Sequence, residues 1–176
     1  MKVPAEIGRV RDRLRELDAE PLGSVTQVDT YFDAPHRDFA RTEEALRLRK
    51  QAADDGPETT ILTYKGPLVD EASKSREESE TVVEDPDGMT AILEALGFDP
   101  AATVRKDRRR FEYDSYTVCL DQVEGLGEFV EVERQAEAVA PAREGAFDVL
   151  AALDLDPDDG IRTSYLGLLL AAEDEG

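Results

Sequence analysis

Hydrophobic and charged residues alternate along several short segments of the chain, and this alternation predicts β-strands. In residues 45–49, Leu46 and Leu48 fall on one face and Arg47 and Arg49 on the other, because successive side chains of a strand point to opposite faces. The same spacing recurs around residues 76–80, 106–108 and 130–133. The pattern therefore predicts a sheet with one charged face and one apolar face.

Turn residues and apolar stripes divide the chain into predicted elements. Strands are predicted over Thr26–Phe32, Ala45–Gln51, Thr59–Lys65, Lys74–Glu84, Val104–Tyr113, Tyr116–Gln122 and Glu128–Arg134. Helices are predicted over Pro4–Leu17, Asp87–Leu96, Pro141–Leu153 and Ile161–Ala172, with Pro4 at the first helical position. No linker divides this order, so we expect one domain over residues 1–176 of the α+β class. Its antiparallel sheet is expected to be a closed or nearly closed barrel with helices packed outside.

The composition adds a strong acidic bias. The 176 residues carry 41 acidic and 21 basic side chains, for a net charge of −20, and only five of the bases are lysines. This balance is typical of adaptation to a salty cytoplasm, where a Debye length of about 3 Å at 1 M salt screens repulsion. It argues against nucleic-acid or membrane partners. With a single cysteine, no signal-peptide pattern and no apolar run of about 18 residues, a cytoplasmic location is expected.

Three carboxylates form a candidate metal site. Glu131 and Glu133 are two apart on a predicted strand, which places them about 7 Å apart on one face, and Asp121 comes from the preceding strand. Oxygen ligands of this kind suit Mg²⁺ or Mn²⁺. A solvated strand face is the alternative interpretation. Two other residues, His36 in a predicted loop and Cys119 with no histidine nearby in sequence, are not predicted to be catalytic.

Cations at strand positions form a candidate phosphate site, because guanidinium and ammonium groups donate to phosphate oxygens. These residues are Arg47, Arg49, Lys65, Arg76, Lys106 and Arg108. Cross-strand ion pairing with the abundant acids is the alternative for some of them. Glu78 and Glu80 are expected either to hold these arginines or to bind metal.

An ordered set of short motifs resembles the CYTH superfamily of triphosphate tunnel metalloenzymes, and most of all its class IV adenylyl cyclase-like branch. The motifs are Gln27-x-Asp29-x-Tyr31-Phe32, Ala45-Leu46-Arg47-Leu48-Arg49, Leu62-x-Tyr64-Lys65-Gly66, Arg76-x-Glu78-x-Glu80, Lys106-x-Arg108, Asp121, Glu124-Gly125-Leu126-Gly127-x-Phe129-Val130-Glu131-Val132-Glu133 and Ser164-Tyr165-Leu166. They run in order along nearly the whole chain.

The resemblance implies an eight-stranded antiparallel tunnel that binds a triphosphate through basic side chains and divalent metal through acidic ones. By this resemblance, Arg47, Arg49, Lys65, Arg76, Lys106 and Arg108 would contact phosphates, and Asp121, Glu131 and Glu133 would serve the metals. Lys2 matches the lysine of the superfamily's opening Glu-x-Glu-x-Lys strand and would be a further phosphate ligand.

The two glutamates of that opening motif have no counterpart in the sequence, because they would precede Met1. Glu6 is not expected to replace them, since it falls in the predicted first helix. We therefore expect low activity from the chain as it stands and a sharp rise if an upstream Glu-x-Glu were restored.

The resemblance favours a metal-dependent adenylyl cyclase that converts ATP to cyclic AMP and pyrophosphate. A triphosphatase acting on inorganic, thiamine or nucleoside triphosphate is the alternative enzyme, and a non-catalytic polyphosphate- or nucleotide-binding module is the alternative of another class. A small-molecule triphosphate is the expected partner, and the sequence leaves open whether the chain is a monomer or a homodimer.

Overall fold

The computed structural model describes residues 1–54, 56–67, 76–134 and 139–174, with side chains left out at 139–143, 173 and 174. Its strands are β1 (Lys2–Pro4), β2 (Glu20–Asp33), β3 (Ala45–Ala53), β4 (Thr59–Lys65), β5 (Glu78–Val82), β6 (Asp99–Tyr113), β7 (Tyr116–Val123) and β8 (Gly127–Glu133). Its α-helices are α1 (Ile7–Glu16), α2 (Phe39–Thr42), α3 (Pro86–Ala95), α4 (Val139–Ala152) and α5 (Tyr165–Asp174), with a 3₁₀ turn at Pro157–Asp159.

The strands form one eight-stranded sheet in the order β1-β8-β7-β6-β2-β3-β4-β5. The α+β class and the eight-stranded antiparallel sheet are thus confirmed. Because this order is linear in the described residues, it fits the nearly closed alternative rather than the closed one. The chain divides into two compact units, residues 1–26 with 106–176 (unit 1) and residues 27–105 (unit 2). The expectation of one domain over the whole chain stays a prediction.

Unit 1 packs its helices against the apolar face of its strands. Val10 and Leu14 of α1 and Leu150 of α4 belong to the same buried cluster as Val118 and Val130 of the sheet. Each of these side chains is 2% exposed or less. Since neighbouring residues of a strand point to opposite faces, the residues between these valines and leucines turn away from the helices. The apolar positions therefore determine which residues form the charged face of unit 1.

Unit 2 has a smaller core. Phe32 of β2, Leu46 and Leu48 of β3 and Leu93 of α3 are buried together. The predicted strands β3 and β4 pair antiparallel, and their register places Arg47 opposite Thr63. Gly97 ends α3 with a φ of +86°, as its place after the predicted helix required. Here too, one strand face packs under a helix and the other carries the charges.

Two predicted helices, the first and the last, begin later in the structure than in the prediction. Pro4 belongs to β1, paired with Phe129 of β8, and the first helix begins only at Ile7. β1 is an end strand, where a residue without an N–H group is tolerated. The last helix begins at Tyr165 instead of Ile161, because Ile161 donates its N–H to the carbonyl oxygen of Lys2.

The boundaries of three strands also differ from the prediction. β2 begins at Glu20 and β6 at Asp99, both earlier than predicted. Gly23, with a φ of +94°, and Pro100 lie within these strands, and such residues resemble strand ends in sequence. β5 is shorter than predicted and covers Glu78–Val82, while residues 74 and 75 of the predicted strand lie outside the described residues.

Candidate functional site

Unit 1 carries its charges on the face opposite its helices. The antiparallel register places Arg108 of β6 opposite Asp121 of β7. Glu131 of β8 lies between Cys119 of β7 and Lys2 of β1 in a neighbouring row. Cross-strand partners share a face, so these residues from four strands lie side by side. Lys2, Lys106 and Arg108, all predicted phosphate ligands, are buried on this face to 9% exposure or less.

Arg108 binds the carboxylates that are predicted from the sequence to be metal ligands. Its Nε donates to Asp121 Oδ1 at 2.7 Å and its Nη2 to Asp121 Oδ2 at 2.6 Å. The same Nη2 also donates to Glu131, and Nη1 lies 3.5 Å from Glu133 Oε1. Burying such charges is favourable only when they are paired and hydrogen-bonded. Removing either partner would therefore destabilise the folded chain, so the network has a structural role as well as forming a candidate site.

Tyr165, the first residue of α5, completes the network. Its hydroxyl donates to Asp121 Oδ2 at 2.8 Å. Its ring centroid lies 4.1 Å from Lys2 Nζ and 5.1 Å from Lys106 Nζ, both within cation–π range. Burial and the nearby charges of Glu131 and Asp121 raise the pKa of Tyr165, so the phenol stays protonated and donates. One ring thus contacts two predicted phosphate ligands.

Glu131 and Glu133 lie next to each other at the more exposed side of this network. Burial disfavours the charge of Glu131, but Arg108 and Lys106 outweigh it and lower the pKa of Glu131. The pKa of Glu133 is raised by partial loss of solvent and by the charge of Glu131, although half of its side chain is still exposed. The two carboxyl groups are close enough to share a hydrogen bond. Glu133 therefore retains protons that Glu131 has already lost.

The donor set fits a hard divalent cation in chemistry, but the three carboxylates differ in availability. Asp121 is fully buried, and both of its oxygens accept hydrogen bonds from Arg108 or Tyr165. Glu131 and Glu133 are more accessible, with side chains 19% and 52% exposed. Within the described part of the chain, no three His, Cys, Asp or Glu residues are grouped as metal ligands. The arrangement suits a cation held by Glu131 and Glu133, with Asp121 positioning Arg108.

Unit 2 has a second charged face, centred on Asp29 of β2. Arg49 binds it with two hydrogen bonds, from Nε at 2.6 Å and Nη2 at 2.7 Å. Arg47 lies 3.8 Å from the same carboxylate and 3.9 Å from Glu80, which accepts a hydrogen bond from Thr63 at 2.8 Å. One buried acid therefore holds two arginines in place.

Tyr31 lies beside this group. Burial and the adjacent charge of Asp29 raise the pKa of Tyr31, and Arg47 opposes that effect. The Nε of Arg47 is buried and has no hydrogen-bond partner among the residues that the structure describes. Because a guanidinium carries five N–H donors, Arg47 retains capacity for an incoming acceptor.

The other predicted residues of unit 2 are less buried. Lys65 Nζ donates to Glu78 Oε1 at 2.7 Å, a cross-strand ion pair on the surface. Arg76 precedes β5 rather than lying in it, so its predicted place on a strand face is wrong. Its Nη1 donates to the carbonyl oxygen of Glu43 at 2.7 Å. In the structure Lys65 therefore forms a cross-strand ion pair, which was the alternative to a phosphate-binding role. Arg76 donates to a backbone carbonyl group.

Asp29 and Tyr165 both belong to the CYTH-like motifs of the sequence, but no role was predicted for either residue. Asp29 carried a detectable signal, since it shares period-two spacing with Gln27 and Tyr31 on β2. No sequence signal pointed to Tyr165, because its partner Asp121 is 44 residues away and their contact depends on where α5 begins. Cys119 is buried, and burial raises the pKa of its thiol to about 12, so it is a thiol at neutral pH. His36 is exposed.

The fold and these two charged faces define an α+β protein whose antiparallel sheet is apolar under its helices and ionic on its other face. The CYTH domain matches residues 1–165, and the chain therefore belongs to the CYTH family. Among the described residues, no helix is both long and apolar enough to cross a membrane.

Relatives of known name or structure agree with this assignment. A protein of Methanocaldococcus jannaschii named "Putative adenylate cyclase MJ0240" is 37% identical over 163 residues, covering 91% of this chain and 90% of that protein. The solved structure of the PH1819 protein from Pyrococcus horikoshii OT3 is 34% identical, covers 97% of both chains and has a TM-score of 0.81. Adenylate cyclase CyaB of Aeromonas hydrophila is 24% identical over 106 residues, which are 60% of this chain and 51% of that protein.

Proposed function

We propose that the chain is a metal-dependent enzyme that acts on a triphosphate, of the class IV adenylyl cyclase type. The observation that carries the proposal is the burial of cations on the charged faces: Lys2, Lys106 and Arg108 in unit 1 and, with side chains 12–13% exposed, Arg47 and Arg49 in unit 2. Lysine and arginine are rarely so buried unless paired, and both suit phosphate oxygens. The name of the M. jannaschii relative supports the cyclase reaction.

In this reaction the ribose 3′-hydroxyl of ATP attacks the α-phosphorus, the bond to the β-phosphate oxygen breaks, and pyrophosphate leaves. A divalent cation supplies charge neutralisation and an acidified hydroxyl when it is bound. The basic side chains hold the phosphate oxygens and stabilise the negative charge of the leaving group. Asp29 orients the arginines of unit 2, and Tyr165 orients Lys2 and Lys106.

The proposed metal ligands are Glu131 and Glu133, because their carboxylates are the accessible ones of the three. Mg²⁺ and Mn²⁺ both favour oxygen ligands, and water would complete their coordination. Asp121, expected from sequence to be a third ligand, is proposed instead to position Arg108 from its fully buried place.

A non-catalytic triphosphate-binding module is the second candidate, and one observation favours it. Arg108 neutralises the acidic residues that a metal would need, and the described residues contain no set of three metal ligands. A protein of this kind would bind the triphosphate through its cations and release it unchanged. Triphosphatase activity, in which water attacks the terminal phosphorus, would use the same side chains as the cyclase and differ in its product.

The experiment is an assay of the purified protein with ATP and with tripolyphosphate, each with Mg²⁺ or Mn²⁺, at molar salt. Cyclic AMP with pyrophosphate supports the cyclase, and orthophosphate supports the triphosphatase. Binding without turnover supports the module, and absence of both binding and turnover contradicts the proposal.

The metal assignment is tested in parallel by titrating Mn²⁺ into the Glu133→Gln variant. Glu112→Gln is the matched control, because Glu112 is exposed on the same strand face two strands away from Glu133. Loss of Mn²⁺ affinity in Glu133→Gln alone supports the assignment, and equal affinity in both variants contradicts it.

A further inference from the structure

Arg110 continues the alternation of charged residues along β6. Lys106, Arg108 and Arg110 follow one another at every second position, so they share the charged face of unit 1. Arg110 pairs in register with Cys119, which pairs with Glu131. Two strand spacings, about 10 Å, therefore separate the Cα atoms of Arg110 and Glu131 along one row. Arg110 lies two residues after Arg108 and is therefore not part of the Lys106-x-Arg108 motif.

The solvent exposure of the basic side chains on this face increases from Lys106 to Arg110. Lys106 and Arg108 are 6% and 9% exposed, whereas Arg110 is exposed to solvent. The acids show the same gradient, from the fully buried Asp121 to the half-exposed Glu133. The Lys106 side is the one contacted by Tyr165 of α5. Within unit 1, a ligand coming from solvent would thus reach the Arg110 side of the face first.

Arg110 also differs from Arg108 in what it binds. Arg108 donates to Asp121 and Glu131 and lies beside Glu133. Arg110 has no hydrogen bond or ion pair with any residue in the described part of the chain. All five N–H donors of Arg110 are therefore available to an anion.

We infer that Arg110 is a substrate-binding residue, which donates to phosphate oxygens at the exposed side of the unit 1 face. The inference rests on the proposed triphosphate-binding function and deepens it. Arg108 shares its donors with the acids that it contacts, whereas Arg110 can direct all of its donors to the ligand. A planar guanidinium can bind two phosphate oxygens at once, a geometry that a lysine cannot match.

The chain offers a closely matched control in Arg109. It is the next residue of β6 and is also exposed, and it likewise has no ion pair with another described residue. Its side chain points to the opposite face, because it pairs with the core residue Leu120. Arg109→Ala and Arg110→Ala therefore change the net charge equally and differ in the face that they alter.

The test is calorimetric titration of tripolyphosphate into the wild-type protein and both variants, with and without Mg²⁺, at 0.2 M and at 1 M salt. Melting curves of all three proteins establish that they are folded. We expect Arg110→Ala to raise the Kd about tenfold, equivalent to about 1.4 kcal/mol, and Arg109→Ala to change it less than twofold. Arg110→Lys should recover part of the affinity, since it keeps the charge but loses the paired donors.

The outcomes separate the inference from the function on which it rests. Equal weakening by both alanine variants, lost at 1 M salt, would mean a general charge effect and would overturn the role of Arg110. Wild-type affinity in Arg110→Ala would overturn it while leaving the proposed function intact. No binding of tripolyphosphate by the wild-type protein would contradict the proposed function, and the inference with it.

Discussion

The two charged faces hold their arginines in opposite ways. In unit 1, one arginine, Arg108, contacts three carboxylates, and Tyr165 donates to the most buried of them. In unit 2, one carboxylate, Asp29, contacts two arginines. The first arrangement uses the donors of its arginine within the protein, whereas the second leaves Arg47 with a buried N–H that no described residue accepts.

This difference suggests a division of work between the faces. Excess acid around Arg108 suits a group that brings positive charge, and a pair of arginines around one acid suits a group that brings negative charge. We therefore expect Arg108 to contribute chiefly to folding and Arg47 chiefly to ligand binding. Four predictions test this comparison, from the largest expected effect to the smallest.

Arg108→Ala should lower the free energy of unfolding by about 3–5 kcal/mol, because it leaves buried carboxylates without their partner. Thermal and urea unfolding would measure the change. Arg109→Ala, which removes an exposed side chain of the same strand, is the control and should change the stability by less than about 0.5 kcal/mol. If both variants were equally stable, the Arg108 network would have no structural role.

Arg47→Ala should weaken the binding of tripolyphosphate by about 1.5–3 kcal/mol, or roughly tenfold to a hundredfold, because a charge-assisted contact is lost. Its effect on unfolding should be smaller than that of Arg108→Ala, since its nearest acids lie 3.8 and 3.9 Å away. Lys50→Ala, an exposed cation on the same strand, is the control. Unchanged affinity together with a lower melting temperature would make Arg47 structural and remove the contrast between the faces.

Tyr165→Phe should lower the free energy of unfolding by about 1 kcal/mol, because Asp121 loses one hydrogen bond and keeps those from Arg108. The ring and its cation–π contacts with Lys2 and Lys106 would remain. Tyr165→Leu removes those contacts as well and should cost more, and it should also weaken the binding of tripolyphosphate. Equal stability of the phenylalanine variant and the wild-type protein would exclude the hydroxyl from the network.

Glu133→Gln should stabilise the protein slightly at pH 7, by a fraction of 1 kcal/mol, since the side chain is half exposed. The folded-state pKa of Glu133 is raised from its ordinary value of 4.5, so the folded state binds more protons than the unfolded state just above that pH. Stability conferred by Glu133 is thus lost as the pH rises through its folded pKa.

The effect of Glu131 on stability should depend on pH in the opposite direction, because the pKa of Glu131 is lowered. Its contribution is present above the unfolded pKa and is lost as the pH falls through the folded one. Urea unfolding at pH 4, 5.5 and 7 would therefore show Glu133→Gln gaining on the wild-type protein with rising pH and Glu131→Gln losing. The same trend in both variants would contradict the assigned shifts.

Much of each charged face could be predicted from sequence, because strand periodicity is a local property. Alternation alone placed Arg47 and Arg49 together and Glu131 and Glu133 together, and the structure has both pairs on common faces. The ends of β2 and β6 could not be predicted in this way, because Gly23 and Pro100 resemble strand boundaries unless the partner strands are known.

The sequence by itself determined which residues share a face, because the period of two follows from the backbone of any strand. The tertiary structure decided which charges meet, because that depends on register and on helix placement. Asp121 pairs with Arg108 only in the register of β6 with β7, and Tyr165 reaches Asp121 only because α5 begins at Tyr165. These long-range contacts give Arg108 its partner Asp121, whereas Arg110 has no partner among the described residues. Arg108 and Arg110 have the same side chain and lie on the same strand face, so the sequence could not tell the paired arginine from the unpaired one.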